Sequence, residues 1–374
     1  MSWNSIVGQS RTKEILRRSV EQKRIAHAYL FWGPGGIGKD ALAIEFAKTL
    51  LCETQSPEAC DSCASCKKVQ RLQHPDLKLI FALPASKADK PGENGEGKIV
   101  PDVREEIRRQ LERKAANLYF RVEIPKATQI NIGSIREVKR ESALSAFEKG
   151  MKIFVILGAE LMNDASANSL LKVLEEPLSD TVFLLTTARK EKLLSTIVSR
   201  CQSIRCEALS DPEIEAALLE REHVPKEQAL LVSRLADGNY ARALELLTDD
   251  VVARREEAVD FLRTTLAGSS VKLMEKIDER ISENDRNEVE QFLMLLLTWV
   301  RDAMVMKEDR GEGIINEDQR ENLARFVARF KNTNFPASLR AVERSLELLR
   351  GNVYLPLVML SLSIQLKRAV VDAK

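Results

Sequence analysis

A glycine-rich turn between an apolar run and a helical pattern constrains the fold of this chain more than any other feature. The run is Ala28-Tyr29-Leu30-Phe31-Trp32, the turn is Gly33-Pro34-Gly35-Gly36-Ile37-Gly38-Lys39-Asp40, and helical periodicity follows over 41–51. A short apolar run bounded by a turn reads as a buried strand. Strand, glycine loop and helix, in that order, open an α/β domain. Residues 77–81, 153–157 and 182–185 are further strand candidates, with helical segments between them. That alternation predicts a parallel sheet covered by helices on both faces.

The turn fits G-x-x-x-x-G-K. In that pattern Gly33, Gly35, Gly36 and Gly38 let backbone N–H groups turn inward around phosphate oxygens. Lys39 adds a point charge, and the next helix aims its positive end at the anion. These five residues are the candidate nucleotide contacts. The following position should carry a hydroxyl that holds magnesium; here it is Asp40, whose charge repels phosphate. Hydrolysis also needs an acid at the end of a neighbouring strand. After Ile153-Phe154-Val155-Ile156-Leu157 come Gly158 and Ala159, and the first acid, Glu160, comes late. Two magnesium-linked positions depart together, so the loop reads as degenerate, with ATP binding doubtful and no intrinsic ATPase activity expected.

Cys52, Cys60, Cys63 and Cys66 form C-x7-C-x2-C-x2-C. Thiolates two residues apart can turn onto one metal, and four satisfy tetrahedral zinc with no open position. A structural Zn2+ is expected. The alternative is buried free thiols or redox cysteines, and four clustered cysteines in so polar a segment are poor core material. Cys201 and Cys206 lie far off and read as core residues.

Lys and Arg total 57 against 56 Asp and Glu, so any DNA contact must come from a local patch. The N-terminus lacks the charged start and apolar stretch of a secretory signal. The longest apolar stretches, 292–300 and 354–366, are too short to span a bilayer. A cytoplasmic protein with no membrane partner is expected, where disulfides rarely persist. Beyond residue 209 strand signals stop. Segments 211–219, 226–236 and 241–247 read as a small three-helix unit, and longer helices follow. Among these, Leu293, Leu296, Leu297, Val300 and Met304 share one face. The expected domains are 1–208, 209–249 and 250–374, with a polar surface loop at 85–100.

Several stretches together resemble the clamp-loader family of bacterial DNA polymerase III, within the AAA+ superfamily. They are Ile25-Ala26-His27-Ala28-Tyr29-Leu30-Phe31, the cysteine cluster, His74-Pro75-Asp76, Ala167-Asn168-Ser169-Leu170-Leu171-Lys172-Val173-Leu174-Glu175-Glu176-Pro177, and Ser199-Arg200-Cys201. The segment around 85–121 has no counterpart. The resemblance implies an α/β P-loop AAA+ domain, a small helical lid and an all-α C-terminal collar for oligomerisation. It implies tau/gamma and delta subunits as partners and, through the assembled loader, the sliding clamp and primed DNA. Within the family the tau/gamma members are the working ATPases. The altered Asp40 and the missing acid put this chain on the side of the delta-prime members, as a stator in a five-subunit ring.

The resemblance also assigns Arg200 as a finger reaching the ATP of a neighbouring subunit, where a guanidinium neutralises charge developing on the γ-phosphate. From spacing alone, Arg200 reads as a surface arginine capping a helix end. Thr186 and Thr187 end a strand where the family places a nucleotide-sensing polar residue; a plain strand-end hydrogen bond is an equal reading. Arg242 stands one position late for a second sensor, so that role is not carried over. Lys172, Glu175 and Glu176 read as a solvated helix face. Two rivals stay open: a divergent tau/gamma-type ATPase using Asp40 and Glu160, and a zinc-dependent nucleic-acid-binding adaptor.

Overall fold

A computed structural model describes residues 2–84, 101–148, 150–176, 180–248, 251–268, 270–281, 286–308, 313–351 and 353–371. The loop expected at 85–100 lies outside the described residues. The chain forms two compact units, Met1–Val224 with Ala236–Ala243, and Pro225–Leu235 with Leu244–Lys374. The segment expected as a separate unit, 209–249, is shared between them.

The first unit is built on a parallel sheet of β1 (Ala28–Trp32), β2 (Leu77–Ile80), β3 (Lys152–Ile156), β4 (Thr181–Thr187) and β5 (Gln202–Arg205), in the order β2-β3-β4-β1-β5. Around it lie α1 (Ser10–Glu21), α2 (Lys39–Leu51), α3 (Ala64–Gln70), α4 (Pro101–Ala116), α5 (Ile132–Ser142), α6 (Asp164–Glu175), α7 (Ser195–Arg200) and α8 (Asp211–Arg221). This is the α/β class that the alternating pattern predicts. Strand β4 is buried at every position, as a central strand covered on both faces must be. Phe154 on β3 pairs in register with Phe183 on β4, and their rings stack at 5.3 Å. They join Leu30, Leu170 and Leu174 in the main core cluster. Burying each such side chain contributes about 1.5–3 kcal/mol.

Strand β5 has no apolar run to announce it. Of Gln202-Ser203-Ile204-Arg205 only Ile204 is buried, because this edge strand pairs on one side alone, with β1. Two features of the sheet position the site. Strand β4 lies between β1 and β3, which brings Thr186 and Thr187 beside the glycine loop; Gly33 N donates to Thr187 O at 3.3 Å. And β5 runs parallel to β1, with Tyr29 opposite Gln202 and Trp32 opposite Arg205. The loop after Trp32 and the helix before Gln202 therefore stand at opposite ends of the sheet.

The remaining helices are α9 (Lys226–Ala236), α10 (Tyr240–Thr248), α11 (Val251–Ala267), α12 (Ser270–Ile281), α13 (Arg286–Lys307), α14 (Arg320–Arg329), α15 (Phe335–Arg350) and α16 (Leu355–Val370). The second unit holds helices and, among its described residues, no strand. Of the face expected on α13, Leu293, Leu296 and Val300 are buried, while Leu297 and Met304 are half-buried. Asp302 is fully buried and accepts from the N–H groups of Ile315 at 3.0 Å and Asn316 at 2.7 Å, so its desolvation is offset by charge-assisted bonds. Among the described residues no helix is long and apolar enough to cross a membrane.

A closed phosphate loop, an arginine corner and a candidate metal centre

The glycine loop leads into α2 as the sequence predicts, but its polar groups are already engaged. Lys39 is buried, and its ammonium folds back to donate to Pro34 O within the loop. Burial lowers its pKa, against the opposing fields of Asp40, Cys206 and Glu160. Asp40 Oδ1 accepts from Thr186 Oγ1 at 2.7 Å, and its Oδ2 lies 3.6 Å from Lys114 Nζ. Burial works to raise the Asp40 pKa, but Lys114, the Thr186 hydrogen bond and Lys39 outweigh it and hold the carboxyl below its ordinary value. Thr186 thus carries a bond to Asp40, and its oxygen also accepts from Gly158 N at 3.2 Å. Glu160 Oε1 accepts from Ala188 N at 3.1 Å, while its buried Oε2 has no hydrogen-bond partner among the described residues.

The loop glycines are needed for close approach, and what approaches is the chain itself. Gly36 has φ 68°, and a Cβ there would lie 1.7 Å from Asn239 Oδ1. Gly38 has φ 98°, and a Cβ there would lie 2.9 Å from the Tyr119 ring. Both positions also require a left-handed backbone that favours glycine. A Cβ on Gly33 would meet Cys206 O at 2.1 Å, while Gly35 has open space around it. Lys114, Tyr119 and Asn239 carry no motif, and sequence reasoning missed all three. The one available signal was the carboxylate of Asp40 at the position of the expected hydroxyl, which calls for a cationic partner.

At the other end of the sheet, Ser199-Arg200-Cys201 ends α7. Cys201 is buried in the main core cluster, where desolvation pushes its thiol up to about 12. Arg200 is partly exposed: Nη1 donates to Thr196 O at 3.1 Å and Nη2 pairs with Glu175 Oε1 at 2.8 Å. The helix-end capping contact is therefore present, and Glu175 adds an ion pair across to α6. Cys206 is buried like Cys201, as expected of both.

The four clustered cysteines come together: their Sγ atoms all lie within 4.8 Å of one another. Tetrahedral zinc with Zn–S bonds of about 2.3 Å needs sulfurs about 3.8 Å apart, and Cys60 Sγ stands 4.0 Å from Cys66 Sγ. Backbone N–H groups point at the sulfurs: Cys60 N at Cys52 Sγ (3.3 Å), Cys63 N at Cys60 Sγ (3.4 Å) and Cys66 N at Cys63 Sγ (3.3 Å). Bonds of this kind favour the thiolate. Hydrogen bonds from Ser62 and Cys63 bring the Cys60 thiol down to about 6. Burial pushes Cys66 the other way, a penalty that a bound cation would offset. The donor set fits a structural metal.

The module is tied to α2 through Lys48, which pairs with Asp61 and Glu45, both at 2.8 Å. It is tied to β2 through His74-Pro75-Asp76. His74 Nδ1 accepts from Asp76 N at 3.1 Å, which places the imidazole proton on Nε2, beside Ser65 Oγ at 3.0 Å. Ser65 in turn donates to Leu51 O at 2.6 Å. The Asp76 carboxylate accepts from Phe147 N and Glu148 N at 2.7 and 2.8 Å. This tripeptide is a latch between cysteine module and sheet.

A parallel sheet, a glycine loop with Lys39 at the head of α2, and helices after the sheet define an α/β protein of the phosphate-loop class. The chain belongs to the DNA polymerase III delta-subunit family, whose model, described as "DNA polymerase III, delta subunit", matches residues 8–210. It is 26% identical over 358 residues to the DNA polymerase III subunit delta' of Bacillus subtilis, covering 92% of each chain. To the DNA polymerase III subunit tau of the same organism it is 27% identical over 251 residues, 66% of this chain and 37% of that one. Among solved structures, a gamma subunit-related protein of DNA polymerase III from Thermotoga maritima aligns with 96% of this chain and 99% of its own, at 15% identity and a TM-score of 0.44.

Proposed function

We propose that this clamp-loader family member is a delta-prime-like stator. It supplies Arg200 to the ATP of a tau/gamma-type neighbour and takes up no nucleotide of its own. The observation that carries this reading is the position of Arg200. It precedes β5, whereas the chain's own glycine loop follows the parallel neighbour β1. Four residues of β5 separate the two levels, roughly 13 Å at about 3.3 Å per residue. A phosphate met by Arg200 must then belong to another chain. The guanidinium would trade Glu175 for the γ-phosphate oxygens and neutralise the charge that develops there.

The exposed apolar residues of the C-terminal helix support an assembling role. Leu357 and Ile364 on α16 are 59% and 47% exposed, and Tyr354 and Val371, which cap its two ends, are 72% and 47% exposed; the four are spaced by three and seven residues. Such a stripe fits a collar packed against sister subunits of the tau/gamma and delta kinds. The assembled loader would place the sliding clamp on primed DNA. Cys52, Cys60, Cys63 and Cys66 would hold Zn2+, which serves as a structural cross-link because four thiolates leave no open position.

A second reading, a divergent tau/gamma-type ATPase, draws on one observation, the unpartnered Oε2 of Glu160 near Lys39. Against it stands Asp40, whose two oxygens already face Thr186 and Lys114. The test is a loader reconstituted with Arg200→Ala. DNA-stimulated ATP turnover and clamp loading should both fall; if both match the unaltered loader, the stator reading is wrong.

A further inference from the structure

We propose that the chain's phosphate loop has a resident occupant, the segment 114–120, with Lys114 standing in for the cation that would otherwise balance Asp40. This rests on the reading of the loop as closed to nucleotide, and not on the role of Arg200. The segment comprises the last turn of α4 and the turn that follows it.

Lys114 is 1% exposed. An ammonium has three protons to place. Two go to Leu118 O and Phe120 O, at 2.7 and 2.8 Å, and the third side faces Asp40 Oδ2 at 3.6 Å. The two carbonyls are presented by a turn that folds back on α4. Phe120 N donates to Asn117 O at 2.9 Å, and the Arg113 guanidinium sits 4.1 Å from the centre of the Phe120 ring. A buried ammonium without an anion is strongly unfavourable. Asp40 supplies that anion, so the carboxylate at position 40, where the motif has Ser or Thr, and the buried Lys114 explain one another.

The same turn lays Tyr119 over Gly38. Its hydroxyl accepts from Val7 N at 2.7 Å, and its ring packs edge-on against Tyr240 at 4.8 Å. From the other side Asn239 covers Gly36, and Ala241 N donates to Gly36 O at 3.1 Å. The segment therefore joins residue 7, the loop and the Ala236–Ala243 stretch of the first unit, as a ligand seated in the loop would. A triphosphate entering here would have to displace the Tyr119 ring and bring more negative charge beside Asp40.

The test uses the purified full chain. Lys114→Met and Asp40→Asn should each lower Tm by at least about 5 °C, and the double variant should lose clearly less than the sum of the two. Unchanged melting, or fully additive losses, would overturn the proposal. Should the variants fail to fold, amine acylation read by mass spectrometry answers on the unaltered protein. Lys114 should label at least about tenfold more slowly than exposed lysines, with or without Mg-ATP. Labelling at the rate of exposed lysines, or exposure of Lys114 when Mg-ATP is added, would overturn it equally. Unchanged or additive melting, or fast labelling without nucleotide, would overturn this proposal and leave the role of Arg200 standing, whereas exposure of Lys114 on adding Mg-ATP would overturn the closed loop of the stator reading as well.

Discussion

The glycine loop and the Arg200 corner are both made of charged groups set on one sheet, yet they are finished in opposite ways. At the loop three charges are answered from within: Lys39 by Pro34 O, Asp40 by Thr186 and Lys114, Lys114 by two carbonyls. At the corner Arg200 holds a helix carbonyl and one exposed carboxylate, Glu175. A surface pair of that kind contributes about 0–1 kcal/mol, so Arg200 can leave it at little cost. The Lys114–Asp40 pair, mostly buried, is worth about 2–3 kcal/mol against removal of one partner. The contrast teaches that electrostatic satisfaction separates a group kept for structure from one available to another molecule.

The comparison can be broken most forcefully at Arg200. In a reconstituted loader, Arg200→Ala should lower turnover at the neighbouring ATP site by about 10³-fold or more, the scale of a lost arginine finger, while the chain's Tm stays within about 2 °C. Next in size is the candidate metal centre, which is tied to the loop helix α2 through Lys48 and Asp61. Cys63→Ser should remove one zinc per chain by elemental analysis and speed hydrogen exchange in α2 and α3, with α7 unaffected. Equal loosening at α7 would mean the two regions are not separate. Lys114→Met should cost about 2–3 kcal/mol in denaturant unfolding, against no measurable change in a loader's clamp binding. The smallest effect belongs to Glu175→Gln, within about 0.5–1 kcal/mol in stability and with loader turnover undiminished. A collapse of turnover there would make Glu175 a positioning residue for Arg200 and the corner less free than described.

Much of this was legible beforehand, for identifiable reasons. The β1–loop–α2 unit, strands β2 to β4 and the helices from α8 onward declare themselves through apolar runs and periodicity. The four cysteines declare themselves because their spacing is rare without a metal. Strand β5 was not legible, since an edge strand with one buried residue has no period to read. The filling of the loop was not legible either. Lys114 and Tyr119 stand in a stretch without motif, and Asn239 is some 200 residues from Gly36 in sequence. Contacts of that kind are made by the tertiary fold and leave no local pattern. The departure at Asp40 signalled a changed loop, but only the structure supplies its partner.

The central claim is that this chain gives an arginine and takes no nucleotide, and calorimetry of Mg-ATP against the purified protein tests it most directly. The account predicts no saturable heat, and the same flat trace for Lys39→Ala. One-site, magnesium-dependent binding that disappears in Lys39→Ala would contradict it, and would restore the loop as a working nucleotide site.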